Sequence, residues 1–134
     1  MTLPGKDKTS LINYRIDQAF ECIDEVELLI RNERLRLAVS RIYYGVFYIV
    51  TDLALTQNFK TSIHRQLIGW FNKAFIRKGT FPVKYGKYFR DAFARRSDVN
   101  YGDIVEYSFD EVQEWFSQMK DFIETVKNYI DTSI

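Results

Sequence analysis

Apolar residues recur along this chain at intervals of three and four, the pattern of helices that bury one face. The last third is the clearest case. Phe109, Val112, Trp115, Phe116, Met119, Phe122, Ile123, Val126, Tyr129 and Ile130 form one helical stripe, which predicts a helix over residues 109–131. Ser108 and Glu111 stand three apart at its start. There the serine hydroxyl can accept from the third amide while the glutamate reaches back to the serine amide. Asp110, Glu111 and Glu114 suit the positive end of the helix dipole.

The same periodicity predicts four more helices. Ile12, Ile16, Ala19, Ile23, Val26 and Ile30 mark a first helix over residues 7–29, with a break at Asn32. Residues 33–56 predict a second, apolar on most sides through its middle and so the central helix of the fold or the face of an oligomer interface. Gly45 within it costs helix stability relative to alanine, so a tight helix crossing is expected there. A third helix, capped by Thr61 or Ser62, runs to residue 78 with Leu67, Phe71, Ala74 and Phe75 inward. Gly79 and Pro82 stop it. The fourth covers residues 83–98, with Tyr85, Phe89, Ala92 and Phe93 inward. No strand-like alternation and no internal repeat appear. Five helices joined by short loops predict an all-α bundle. At 134 residues the chain is expected to be one domain over its whole length, with residues 1–8 disordered.

Composition narrows this picture. Apolar residues make up 46% and aromatics 16%, with 11 Phe and 9 Tyr, so much of the core is ring against ring or ring against aliphatic. Cys22 is the only cysteine; it can form no disulfide within the chain and falls in an apolar stripe as a buried filler. The start, MTLPGKDKTS, lacks an apolar segment of signal-peptide length. The longest apolar run, residues 42–50, is about half of a membrane span. The protein is therefore expected to be soluble and cytoplasmic, with no membrane partner.

The net charge of +1 is unevenly spread: residues 60–101 hold ten Lys and Arg against Asp91 and Asp98, while residues 102–134 hold two against eight acids. A basic middle beside an acidic end fits either internal complementarity or a phosphate-bearing partner.

Most catalytic motifs are absent. With one histidine, His64, and one cysteine, a zinc site of standard composition is not expected. No glycine-rich phosphate loop of either common type occurs, nor the Glu-x-x-His pattern of di-iron bundles. The loop between the third and fourth helices is too long for a compact helix-turn-helix. No metal or cofactor is expected. The stretch ARRSDVNYGD, residues 94–103, then stands out at the end of the fourth helix. Two arginines at a helix C-terminus suit the dipole whatever the function.

Five segments together resemble the HEPN domain family in its small stand-alone prokaryotic form. They are AVSRIYYGVFY (38–48), KTSIH (60–64), FIRKG (75–79), RSDVNYGD (96–103) and the acidic start of the last helix. The resemblance covers residues 10–129, and the SRxYYxxFY run is its most specific part. It implies an up-and-down bundle of four to five helices, usually a homodimer. Many such proteins pair with a minimal nucleotidyltransferase as toxin and antitoxin. Active members are metal-independent ribonucleases whose motif is an arginine, four to six residues, then a histidine. The arginine neutralises the scissile phosphate and the histidine moves the proton.

This chain keeps Arg96 and the spacing but has Tyr101 in the histidine's place. A phenol of pKa about 10 is a poor base at neutral pH. The resemblance thus implies a binding and assembly module, with Arg95, Arg96, Asn100, Tyr101 and His64 as contacts to nucleotide or RNA phosphate and a nucleotidyltransferase partner. An alternative is a ribonuclease toxin using Arg96 and Tyr101, with Tyr101 the tyrosine nearest to where such a partner would modify the chain. A second alternative is a structural bundle without a catalytic role.

Overall fold

The structure, a computed structural model, describes residues 5–100 and 106–133, Gly5 and Asn100 through their backbone alone. Among them are five α-helices, one π-helical turn and no strand: α1 (Gly5–Arg31), α2 (Leu35–Thr56), α3 (His64–Phe71) continued by the π turn (Asn72–Ile76), α4 (Val83–Asn100) and α5 (Phe109–Ser133). The protein is an all-α helical bundle. α2 is its centre, packed against α1, α3, α4 and α5. By length and composition α2 is apolar enough to cross a membrane, yet 61% of its apolar stretch is buried within the bundle. Its apolarity has a local cause: neighbours cover it on several sides.

The inward stripes read from the sequence are the core. Ile12, Ile16, Ala19, Val26 and Ile30 of α1 are buried, as are Val112, Phe116, Met119, Phe122, Ile123, Val126 and Ile130 of α5. Ile23, Trp115 and Tyr129 of the same stripes are half-buried at the edge of the core, and Phe109, the first residue of α5, is 52% exposed. Gly45 is where α1, α2 and α5 meet. A Cβ there would collide with Met119 Cε and lie 3.1 Å from Cys22 Cβ, so glycine permits the close approach. Cys22 fills the same crossing, fully buried, and burial pushes its thiol pKa up to about 11.

Helix ends follow local chemistry. Glu33 takes a left-handed φ of 56°, so α2 begins at Leu35 and not at residue 33. The Ser108–Glu111 box forms as predicted: Glu111 N donates to Ser108 Oγ at 3.1 Å and Ser108 N to Glu111 Oε1 at 3.2 Å. α3 differs from expectation. Its cap residue is Ile63, without a side-chain bond. Thr61 acts one step earlier, accepting from Ile63 N at 3.1 Å and donating to Gln66 Oε1 at 2.7 Å. The single helix expected to residue 78 instead widens into a π turn, where Arg77 N donates to Asn72 O at 2.9 Å. The wider turn keeps Phe71, Phe75 and Ile76 all buried. It ends on Gly79, φ 77°, with Thr80 N donating to Phe75 O and Gly79 N to Ile76 O, a Schellman closure. Phe81 stacks back on Phe75, ring centroids 5.4 Å apart.

Candidate functional site: the α2–α3–α4 aromatic cluster

α4 presents Arg95 and Arg96 about 100° apart around its axis, as consecutive helical positions must be. Arg96 turns toward α2. Its Nη2 donates to the Tyr44 hydroxyl at 2.6 Å, and its guanidinium carbon lies 5.2 Å from the Tyr44 ring centroid. A cation over a ring and a bond to its hydroxyl fix the arginine twice on one side chain. Arg41 approaches the same ring, at 5.7 Å.

The neighbouring Tyr43 is fully buried and meets His64 at the start of α3, hydroxyl to Nδ1 at 2.6 Å. The imidazole stacks on Phe47, with centroids 4.5 Å apart, and lies near Phe93 at 5.8 Å. A buried phenol needs a partner for its proton, and among the described residues Tyr43 has His64. Burial pushes the Tyr43 pKa well above its ordinary value, so the proton stays on the phenol. The assignment that satisfies the buried phenol has Tyr43 donating to Nδ1 and neutral His64 carrying its own proton on Nε2. Burial, and secondarily the charge of Arg96, lower the His64 pKa from 6.5. His64 is thus a neutral N–H donor at Nε2, with its basic nitrogen already engaged.

An open groove of about 460 Å³ adjoins this cluster between α3 and α4, lined by Arg65, Ile68, Arg90, Phe93, Ser97 and Asp98 among others. Its two arginines and its ring floor can meet both the charge and the faces of an extended anion.

Of the five residues expected to contact phosphate, the three whose side chains are described do not form one cluster. Arg96 and His64 are brought into one electrostatic neighbourhood, 32 positions apart in sequence. Arg95 goes elsewhere: its guanidinium lies over Trp115 of α5, 3.9 Å from the ring centroid. Asn100 ends α4, its side chain outside the description, and Tyr101 lies outside the described residues. Tyr43 and Tyr44, part of the segment read from the sequence as central helix or oligomer face, are what joins Arg96 to His64. The signal was the double tyrosine itself, since hydroxyls inside an apolar helix require partners. Among the described residues no group of three His, Cys, Asp or Glu side chains could hold a metal ion.

Comparison with known proteins gives the family. A "UPF0332 protein" from Thermotoga maritima is 34% identical over 125 residues, 93% of this chain and 95% of that one. A protein named "Putative toxin MJ0142" from Methanocaldococcus jannaschii is 29% identical over 115 residues, 86% of this chain and 78% of that one. The family model described as HEPN domain matches residues 12–129. That span takes in the double tyrosine, His64 and Arg96 together, and the chain belongs to the HEPN domain family.

Proposed function

We propose that this protein is a binding and assembly module of the toxin–antitoxin kind, in which Arg96 and His64 hold a phosphate group of RNA or a nucleotide without cutting it. The observation that carries the reading is the Tyr43 hydroxyl on His64 Nδ1, 2.6 Å away. It leaves the imidazole a hydrogen-bond donor at its other nitrogen and takes away the free basic nitrogen that proton abstraction needs. Arg96 adds a charged donor that cannot lose its proton. Two donors and one positive charge suit a phosphate oxygen. Arg65 and Arg90 on the adjoining groove supply further charge for a strand that continues past the first phosphate. In this reading the protein acts as a homodimer with a minimal nucleotidyltransferase as its partner.

Binding of a short single-stranded RNA by the purified protein tests it. Arg96→Ala is expected to weaken binding at least ~10-fold, as loss of a charge-assisted contact does, with the RNA recovered intact. Unchanged affinity in that variant overturns the phosphate role.

The name of the Methanocaldococcus jannaschii relative favours a second reading, a ribonuclease toxin that uses Arg96 and Tyr101. Its mark is RNA cleavage that persists in chelator and vanishes in Arg96→Ala.

A further inference from the structure

The KTSIH segment contributes more than His64. Lys60, Thr61 and Ser62 line a cavity of about 330 Å³ together with Arg15 of α1, Thr51 of α2 and Phe59. Its walls are held from behind. Phe59 N donates to Ala54 O at 2.9 Å, and the Phe59 ring stacks on Trp70 with centroids 5.2 Å apart and planes 7° from parallel. The Thr61 hydroxyl accepts from Ile63 N and donates to Gln66 Oε1, which fixes the turn that carries Lys60 and Ser62.

Charge sets this cavity apart. Arg15 and Lys60 line it, and no acidic side chain does. The α4–α5 cavity instead sets Asp91 and Asp121 against its cations, and the groove between α1 and α5 sets Glu27 and Glu33 against Arg31 and Lys120. On the surface Arg31 pairs with Glu27, Lys87 with Asp91 and Lys127 with Asp131. Arg15 and Lys60 make no ion pair and no hydrogen bond among the described residues. The acid whose charge Arg15 feels is Asp52, fully buried, with neither carboxylate oxygen hydrogen-bonded among the described residues. Burial raises its pKa to about 8, so at neutral pH it is mostly protonated and leaves Arg15 unbalanced. Two like charges on one concave wall repel each other, and an anion between them turns that repulsion into attraction.

The class of anion follows from the charge. A phosphomonoester carries about two negative charges at neutral pH, the match to Arg15 and Lys60, whereas a phosphodiester link carries only one. The Ser62 hydroxyl, without a hydrogen-bond partner among the described residues, adds a donor. Phe59 and Ala54 give an apolar wall to the rest of a ligand, and the volume is at the small end of ligand pockets. We propose that this cavity binds a small phosphomonoester, its terminal phosphate held by Arg15 and Lys60 and its organic body against Phe59. The site is separate from the Arg96 cluster and does not depend on phosphate binding there.

Phenyl phosphate is a suitable probe, read by the indole N–H resonances of the chain's 2 tryptophans, with Trp115→Phe assigning the signals. Trp70 reports on the cavity through its stack on Phe59, and Trp115, under Arg95, is the internal control. Phenyl phosphate is expected to move the Trp70 signal saturably and leave Trp115 in place. Arg15→Gln should weaken that binding at least ~10-fold, the loss expected for a charge-assisted contact. Lys60→Glu, at an exposed position that leaves the core untouched, puts a carboxylate on the wall and should weaken it at least as much. Dimethyl phosphate, a monoanion, should bind at least ~10-fold more weakly than phenyl phosphate. Arg96→Ala should leave phenyl phosphate binding unchanged, which separates this proposal from the phosphate reading of the Arg96 cluster. No saturable shift at Trp70 into tens of millimolar phenyl phosphate overturns the site, as does full affinity in either Arg15→Gln or Lys60→Glu. Loss of the Trp70 shift in Arg96→Ala would assign the ligand to the Arg96 cluster, and equal affinity for dimethyl phosphate would overturn the class.

Discussion

The two sides of α4 handle the same side chain in opposite ways. Toward α2 and α3, Arg96 meets a ring that also carries an acceptor, so the Tyr44 hydroxyl takes its hydrogen bond at 2.6 Å. Toward α5, Arg95 meets an indole, whose face attracts a cation but accepts no ordinary hydrogen bond, and Nη1 is left without a partner among the described residues. Burial accordingly lowers the Arg95 pKa from its ordinary value, though the group stays charged at any physiological pH. Two adjacent arginines that look like one clamp in a sequence are thus two separate devices. Charge density along a chain becomes charge density in space only where the helix turns both residues the same way.

Phe89 is where the two sides join, and its loss should have the largest effect. It is fully buried, with ring centroids 6.2 Å from Tyr43 on one side, 6.3 Å from Phe122 on the other and 5.7 Å from Phe71. Phe89→Ala should cost about 3–5 kcal/mol, the range for a large ring removed from a packed core, measured by denaturant unfolding. Both sides of α4 should loosen together. A loss under about 1 kcal/mol would mean that the two sides do not share a core, and the comparison would fail at its base.

Asp52 sharpens the contrast from the acidic side. It is fully buried on α2, and both carboxylate oxygens lack a hydrogen-bond partner among the described residues. Unlike Arg95 it can escape by taking up a proton. Burial raises its pKa from 3.8 to about 8, with the charge of Arg15 acting the other way. Because the folded value lies above the unfolded one, the stability contribution is fully present below pH 3.8 and is lost as pH rises toward about 8. Asp52→Asn should flatten that slope and stabilise the protein at pH 8 relative to pH 5, by about 2 kcal/mol once relaxation around the charge is allowed for. Urea midpoints at the two pH values decide it. An equal effect of the substitution at both would refute the desolvation argument.

Much of the bundle was legible in the sequence because burial writes a period of 3.6 into it. The α5 stripe, the Ser108–Glu111 box and the stop at Gly79 each rest on local chemistry that needs no knowledge of neighbours, and Gly45 marked a crossing without naming the helices that meet there. The π turn was not legible. Residues 72–76 carry an ordinary helical pattern, and the widening depends on the surrounding core, where Gly86 of α4 comes so close that a Cβ on it would lie 3.1 Å from Ile76 Cγ1 and 3.3 Å from Asn72 Oδ1. The site was half legible for the same reason. Arg96 and His64 could be named from the family resemblance, but their convergence needs the α2 tyrosines between them, a three-helix fact. The separation of Arg95 from Arg96 follows from helix geometry alone, yet which neighbour each would meet does not.

The smallest effect tests the comparison most directly. The charge of Arg96, second to burial, lowers the His64 pKa, so Arg96→Gln should raise it. Arg95→Gln should leave it alone, because Arg95 faces Trp115. As the only histidine, His64 can be followed without ambiguity by proton NMR across pH. The same shift has a stability sign opposite to that of Asp52: with the folded value depressed, the contribution is present above pH 6.5 and is lost as pH falls through the lowered pKa. The two windows overlap, so the titration is best made in an Asp52→Asn background. Equal movement of His64 in both arginine variants would show that its neighbourhood does not distinguish the two sides of α4. Movement in Arg96→Gln alone would tie the histidine to one arginine, and so to one site.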